Sequence, residues 1–462
     1  MTVRCLLLLG AAIFSLSGCG GGGDSGGAPT VLPPSGSPTP TPAPPPTVTP
    51  TPTATISVVA MSPMLASIYF YPDGWPSPER AFTVFSDRQG YYPSLSPILA
   101  DVHGPLSPNF ASYEKSSYGI DPSTNMVYGF RAPQTAKLIS PITHMLALGS
   151  EQLVLKDQLN LSAGSSASLS VDRNLETFDP FQALSSSDVE VRADGERIIS
   201  RHLRLNAMAC AVAHFGRSAL PVRFMDCQFD WVGAHLAEYP RLSAFGYSSI
   251  STLLSRNTRG SIFKPEIISA TTHVIALFLS LIPDRVSTPT EIAKYQLATA
   301  GYLAPLVSEI SLDGTSESAN RALSITLEEM RQAIKRYGEI PTFAPDARYF
   351  PAPDFYKMSP GTTMVVRASY DGGNNGGDGP FTYNDMHLAP VENGYFIRHG
   401  VHVLTSVEIP STNTNEVDAR LNTDGTVSIT TLGNFTGVTY FDYETRHEKG
   451  DVARGRVYVW VH

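Results

Sequence analysis

The stretch DGERIISRHLRLNAMACAVAHFG, Asp194 to Gly216, sets the fold class of the middle of the chain. It opens on a cap-type aspartate, carries apolar residues at helical spacing and stops on a glycine. Three further stretches have the same grammar: KPEIISATTHVIALFLSLIPD, TPTEIAKYQLATAGYLAPLVSEI and SANRALSITLEEMRQAIKRYG. Residues 188 to 340 therefore read as helices. The apolar run Val274 to Ile282 is nine residues long, which suits a core helix and is far too short to span a membrane.

Outward from the helices the period changes from helical to alternating. On the C-terminal side, DARLNTDGTVSITTLGNFTGVTYFDYETRHEKGDVARGRVYVWVH ends the chain, with Asp424-Gly425 as a hairpin turn and Val457 to Val461 as a final strand. On the N-terminal side, residues 56 to 132 offer strand candidates such as ASIYFYPDG, AFTVFSDRQGYY and MVYGFRAP, with Asp73-Gly74 as a turn. The expected fold class is multidomain α+β: an N-terminal β-sandwich-like module over 56–135, an all-α middle domain over 136–340, a Pro-rich hinge over 341–355 and an immunoglobulin-like β sandwich over 356–462.

Composition fits a chain made for an exported, loop-rich life. Of 462 residues, 37 are glycine and 37 proline, with 42% apolar and only 16% charged. A net charge of −9 argues against nucleic acid as a partner, because displacing phosphate counterions needs a basic stripe. Arg4 and the apolar run Cys5 to Phe14 have the form of a signal peptide, expected to occupy residues 1–18. Residues 19 to 55 then read as a Gly-rich segment followed by PTPTPAPPPTVTPTPT, a polyproline-type stalk rising ~3.1 Å per residue.

Four cysteines are present, and Cys5 leaves with the leader. In an oxidising compartment Cys210 and Cys227 are a candidate disulfide, closing a loop worth about 3 kcal/mol in the chain-entropy view. The competing reading is a metal site of Cys210, His214, Cys227 and His235, which lacks the compact ligand spacing of zinc sites. The Asp/Asn/Gly-dense segment SYDGGNNGGDGPFTYND offers Asp371, Asn374, Asn375, Asp378 and Asp385 as candidate oxygen ligands for calcium. It lacks the order of an EF-hand, and a plain strand connection is the competing reading.

Catalytic signatures are missing from the linear sequence. Gly246-Tyr247-Ser248-Ser249-Ile250 lacks the last glycine of a nucleophile elbow, and there is no HExxH, P-loop or GxGxxG. No catalytic residue is assigned from sequence, although remote carboxylate pairs for glycoside cleavage leave no local motif. Trp75, Tyr91 and Tyr92 are aromatic residues able to stack on sugar rings, with packing as the alternative use.

Three resemblances add to this. Leu16-Ser17-Gly18-Cys19 resembles the bacterial lipobox, which implies cleavage before Cys19 and its acylation. The Gly20 that follows implies residence in the outer membrane of a Gram-negative cell, facing the surface or the periplasm. Ser140-Pro141-Ile142-Thr143 and LETFDP, Leu175 to Pro180, resemble the "SPLTTLLA" region of large bacterial surface proteins, in which a β module gives way to helices. Ser140 can cap there, Pro141 suits a first turn, and His144 reads as packed or on the surface. Asp424 to Val427, Asn434 to Gly437 and Tyr440 to Tyr443 resemble the cadherin-like, immunoglobulin-like modules of the same proteins. Together they imply a lipoprotein engaged in adhesion or binding to an envelope protein, a glycan or a neighbouring cell, without a cofactor unless calcium binds. An exported glycan-active or other hydrolase with a cleft in the helical domain is the alternative.

Overall fold

The computed structural model describes the strand residues 57–58, 65–71, 82–85 and 114–121, and residues 126–133, 136, 138–165, 167–216, 227–256, 263–339, 354–367, 402–447 and 452–462. The expected leader and stalk, Cys19, Trp75, Tyr91, Tyr92 and the Asp371 to Asp385 segment lie outside the described residues. The architecture is α+β, and Pro52–His462 form one compact unit.

The N-terminal strands are β1 (Ser57–Val58), β2 (Leu65–Tyr71), β3 (Phe82–Phe85), β4 (Glu114–Asp121), β5 (Met126–Ala132) and β6 (Leu138–Ile139). They form a four-stranded antiparallel sheet in the order β3-β2-β4-β5, and β1 pairs in parallel with β6. Phe130 and Ala132 of β5 and Ile139 of β6 are buried in the same core as the helices, so this sheet is continuous with the helical region.

The helices start where local chemistry tells them to. Ser140 caps α1 (Pro141–Ala147) in a capping box with Thr143, and Pro141 fills the first turn. After α2 (Gln152–Gln158) and α3 (Pro180–Leu184) comes the 26-residue α4 (Val189–His214). Its cap is Asp188, whose carboxylate accepts from the Glu190 and Val191 amides, so the helix begins more than a turn before the expected Asp194. Asp194 is instead a fully buried side chain.

Next follow α5 (Phe229–Glu238), α6 (Tyr247–Arg256), α7 (Pro265–Leu281) and α8 (Pro289–Ala298). The stretch after Ala298 makes a π-helical turn, Thr299–Leu303, before α9 (Ala304–Asp313). Pro305 explains it: proline has no N–H for the preceding turn and its ring crowds the carbonyl four residues back, which a widened turn relieves. That carbonyl belongs to Gly301, where a Cβ would come within 2.4 Å of the Phe355 ring. The last expected helix is two: α10 (Ser316–Ser324) and α11 (Leu327–Tyr337), with Thr326 capping the second in a box with Glu329.

The C-terminal strands are β7 (Asp354–Met358), β8 (Thr363–Arg367), β9 (His402–Glu408), β10 (Val417–Leu421), β11 (Thr426–Thr431), β12 (Gly437–His447) and β13 (Val452–Val461). They form two sheets, β10-β11-β8 and β7-β13-β12-β9, in which the first and last strands, β7 and β13, pair in parallel. The Asp424-Gly425 turn forms as expected, with Gly425 at φ +79° and the Asp424 carboxylate accepting from Thr426 N at 3.0 Å.

Along β13 alternate residues serve two cores. Val457, Val459 and Val461 face the second sheet with Phe441, Val427 and Ile429, while Tyr458 and Trp460 join Tyr440 and Val438 in the helical core. Both faces of this sheet are therefore covered there, which is why its last strand ends in the unbroken apolar run Val457 to Val461.

Candidate functional site

The second face of β12 and β13 meets α11 and the π-helical turn, and beside this contact lies a cleft of about 510 Å³ whose walls α9 and α10 complete. Its walls include Tyr302, Ile310, Arg321 and Ile325 from the helical side and Val438 and Trp460 from the sheet. Trp460 is held between an edge-on Tyr302, 5.3 Å away at 70°, and a parallel His462 ring at 4.2 Å. The Lys357 ammonium sits 5.6 Å from the centre of the Trp460 ring.

Beneath these rings, Glu309 of α9 accepts from His462 Nε2 at 2.9 Å and lies 2.9 Å from Lys357 Nζ. Burial alone would raise this carboxyl, but the hydrogen bonds and charges of His462 and Lys357 outweigh it and hold it at about 2. A second set of contacts joins the regions at the C-terminal end of α11. Arg336 binds Glu416 and, at 3.3 Å, Asn413; Tyr440 Oη donates to Glu339 at 2.7 Å.

The other carboxylates of the cleft are engaged too. Glu328 is held below the usual range by Gln332 and Arg331, and Glu329 by the amide and hydroxyl of Thr326. A general acid for glycoside cleavage needs a carboxyl raised towards neutrality. None of the three cleft carboxyls is raised.

Ser249 and His235 do meet, with His235 Nε2 3.0 Å from Ser249 Oγ. Both side chains are buried, His235 Nδ1 has no hydrogen-bond partner among the described residues, and neither residue lines the cleft. Burial and the Arg256 charge push the His235 ring down in pKa. The pair packs α5 on α6 and lacks the orienting acid and access a hydrolytic serine needs. His144 is buried, accepting from Arg131 N at 2.8 Å while Nε2 reaches Asp230 at 3.2 Å, so neither ring nitrogen faces a substrate.

Cys210 and Cys227 are joined in a disulfide. This removes the four-residue metal set: His214 Nδ1 turns to the Cys210 carbonyl at 2.8 Å and His235 to Ser249. Among the described residues no group of three His, Cys, Asp or Glu is arranged for a metal ion, and no helix is long and apolar enough to cross a membrane.

Sequence reasoning misses the cleft. Glu309, Lys357 and Trp460 have no motif, and His462 stands singly in the chain. The one readable signal is the alternation of valine with aromatic residues in VYVWV, which marks a strand with two different partners. No protein-family model matches the chain, and no curated protein or solved structure matches it.

Proposed function

We propose that the chain is an outer-membrane lipoprotein, acylated on Cys19 and held off the membrane by its Pro/Thr stalk, that binds a cell-envelope component without transforming it. The observation that carries the binding half is the cleft. It combines aromatic and aliphatic walls with carboxylates that are all kept ionised by fixed partners, an arrangement suited to recognition and unsuited to proton transfer. The strand order β7-β13-β12-β9 over β10-β11-β8, with the parallel β7/β13 pair, supports reading the C-terminal sandwich as immunoglobulin-like or cadherin-like.

Two measurements test this. Metabolic labelling with a tritiated fatty acid should mark the wild type and miss Cys19→Ala, which should also leave the membrane fraction. Unchanged fractionation without label removes the anchor. For binding, the chain from Gly20 onward should sediment with purified outer-membrane vesicles, and Ile325→Glu, which places a charge in the cleft wall, should abolish sedimentation while leaving the thermal transition in place. Retained sedimentation in Ile325→Glu, or turnover of an envelope polysaccharide by the wild type, would contradict the proposal.

A further inference from the structure

The charges lining the cleft fall into two groups. Glu309, Glu328, Glu329 and Arg336 all have partners within the protein: Lys357 and His462, Arg331 and Gln332, the Thr326 cap, and Glu416 with Asn413. Arg321, in the last turn of α10, is exposed and has no side-chain partner among the described residues. Among the described residues the cleft therefore offers a ligand one cation and no free anion.

The walls restrict the ligand further. Leu306, Ile310, Ala322, Ile325 and Val438 present methyl and methylene groups, with the Trp460 ring beside them. The polar lining, Ser318, Gln332 and Thr436 among it, lies beside these walls and not on them, so a saccharide laid on the aliphatic face would lose water from hydroxyls that face methyl groups, whereas a hydrocarbon body loses nothing there. A multiply charged headgroup would bring more negative charge than one guanidinium matches, next to three ionised glutamates.

Resting on the reading of this cleft as the binding site, we propose that its ligand is an amphipathic monoanion: a medium-length acyl chain on the aliphatic walls with its carboxylate on Arg321. A guanidinium presents a planar fork that suits a carboxylate, and a cleft of about 510 Å³ lies in the range that encloses most of a small-molecule ligand.

Because Pro52–His462 form one compact unit, the chain from Gly20 onward is a sound test material. Calorimetric titration with dodecanoate below its micelle concentration should show saturable binding, with dodecanol about tenfold weaker and dodecyltrimethylammonium absent. Arg321→Gln, a surface change, should bring dodecanoate down to the dodecanol level and leave dodecanol unaltered. Equal binding of dodecanoate and dodecanol, binding of the cation, or an unaltered Arg321→Gln variant would overturn the ligand class. The two proposals fail separately. If dodecanoate does not bind but Ile325→Glu still loses the vesicles, the cleft stands as a binding site and the acyl carboxylate is excluded. If neither effect is seen, both proposals fall.

Discussion

Asp194 and Glu309 are both carboxylates held by two basic side chains inside one compact unit, yet they do different work. Asp194 is sealed: it is 0% exposed and accepts from Ser170 N at 2.8 Å, Ser170 Oγ at 2.7 Å, Arg173 Nε at 2.8 Å and Arg197 Nη1 at 2.9 Å. All these donors come from one short span of chain, so the carboxylate ties the segment before α3 onto α4. Glu309 is partly open, at 21% side-chain exposure, and its partners come from β7 and from the end of β13, the latter 153 residues away in sequence. The first carboxylate stabilises one region from within. The second fixes the position of two regions against each other, next to an open cleft.

The difference predicts unequal costs. Burial opposes ionisation of Asp194, but the Ser170 and Arg173 hydrogen bonds outweigh it and its carboxyl is lowered. Asp194→Ala leaves two arginines facing an emptied pocket and should destabilise by about 3 kcal/mol, the usual result of removing one partner from a buried charged set. Urea unfolding followed by circular dichroism measures this. Hydrogen exchange should locate the loosening in residues 167–197 and leave β7 and β13 protected. Loss of protection at β13 of equal size would erase the distinction between the two carboxylates.

Glu309→Gln should cost less, about 2 kcal/mol, because its site is open enough for water to replace part of what the carboxylate does. Its signature is location: exchange should quicken in β7 and at the Trp460 to His462 end of β13, with α4 unaffected. A change confined to α9 would mean that Glu309 does not join the sandwich to the helices.

The same contrast explains what could be read from sequence. Ser140 as a cap, Pro141 in the first turn and the Asp424-Gly425 hairpin are local, set by hydrogen bonds between residues two to three apart, and the linear pattern is enough to place them. Asp194 followed by Gly195 imitates a helix start, and local grammar errs there because Asp188 caps earlier. Only packing distinguishes them: Gly195 has no room for a Cβ, which would lie 2.7 Å from the Pro180 carbonyl. The break between α10 and α11 at Thr326 is a capping box inside an apparently continuous helical pattern. The Cys210 to Cys227 link is local enough to propose from compartment and count. The Glu309, Lys357 and His462 contact brings together three single residues through tertiary packing, so no spacing reveals it.

The smallest expected effect is also the most specific. The Glu309 carboxyl is lowered to about 2 in the folded chain from an ordinary value of 4.5. A carboxyl with a depressed folded pKa binds fewer protons folded than unfolded, so its contribution is complete above the unfolded value and is lost as pH falls through that value towards the folded one. The stability difference between wild type and Glu309→Gln should therefore be constant near neutrality, shrink below pH 4.5 and vanish near pH 2. Asp194 is lowered as well, so wild type and Glu309→Gln share that part of the acid response, and subtracting one curve from the other isolates Glu309. Urea midpoints at a series of pH values give the two curves. A difference that stays level down to pH 2 would mean that the charge of Glu309 contributes nothing, and that its packing alone holds the sandwich to the helices.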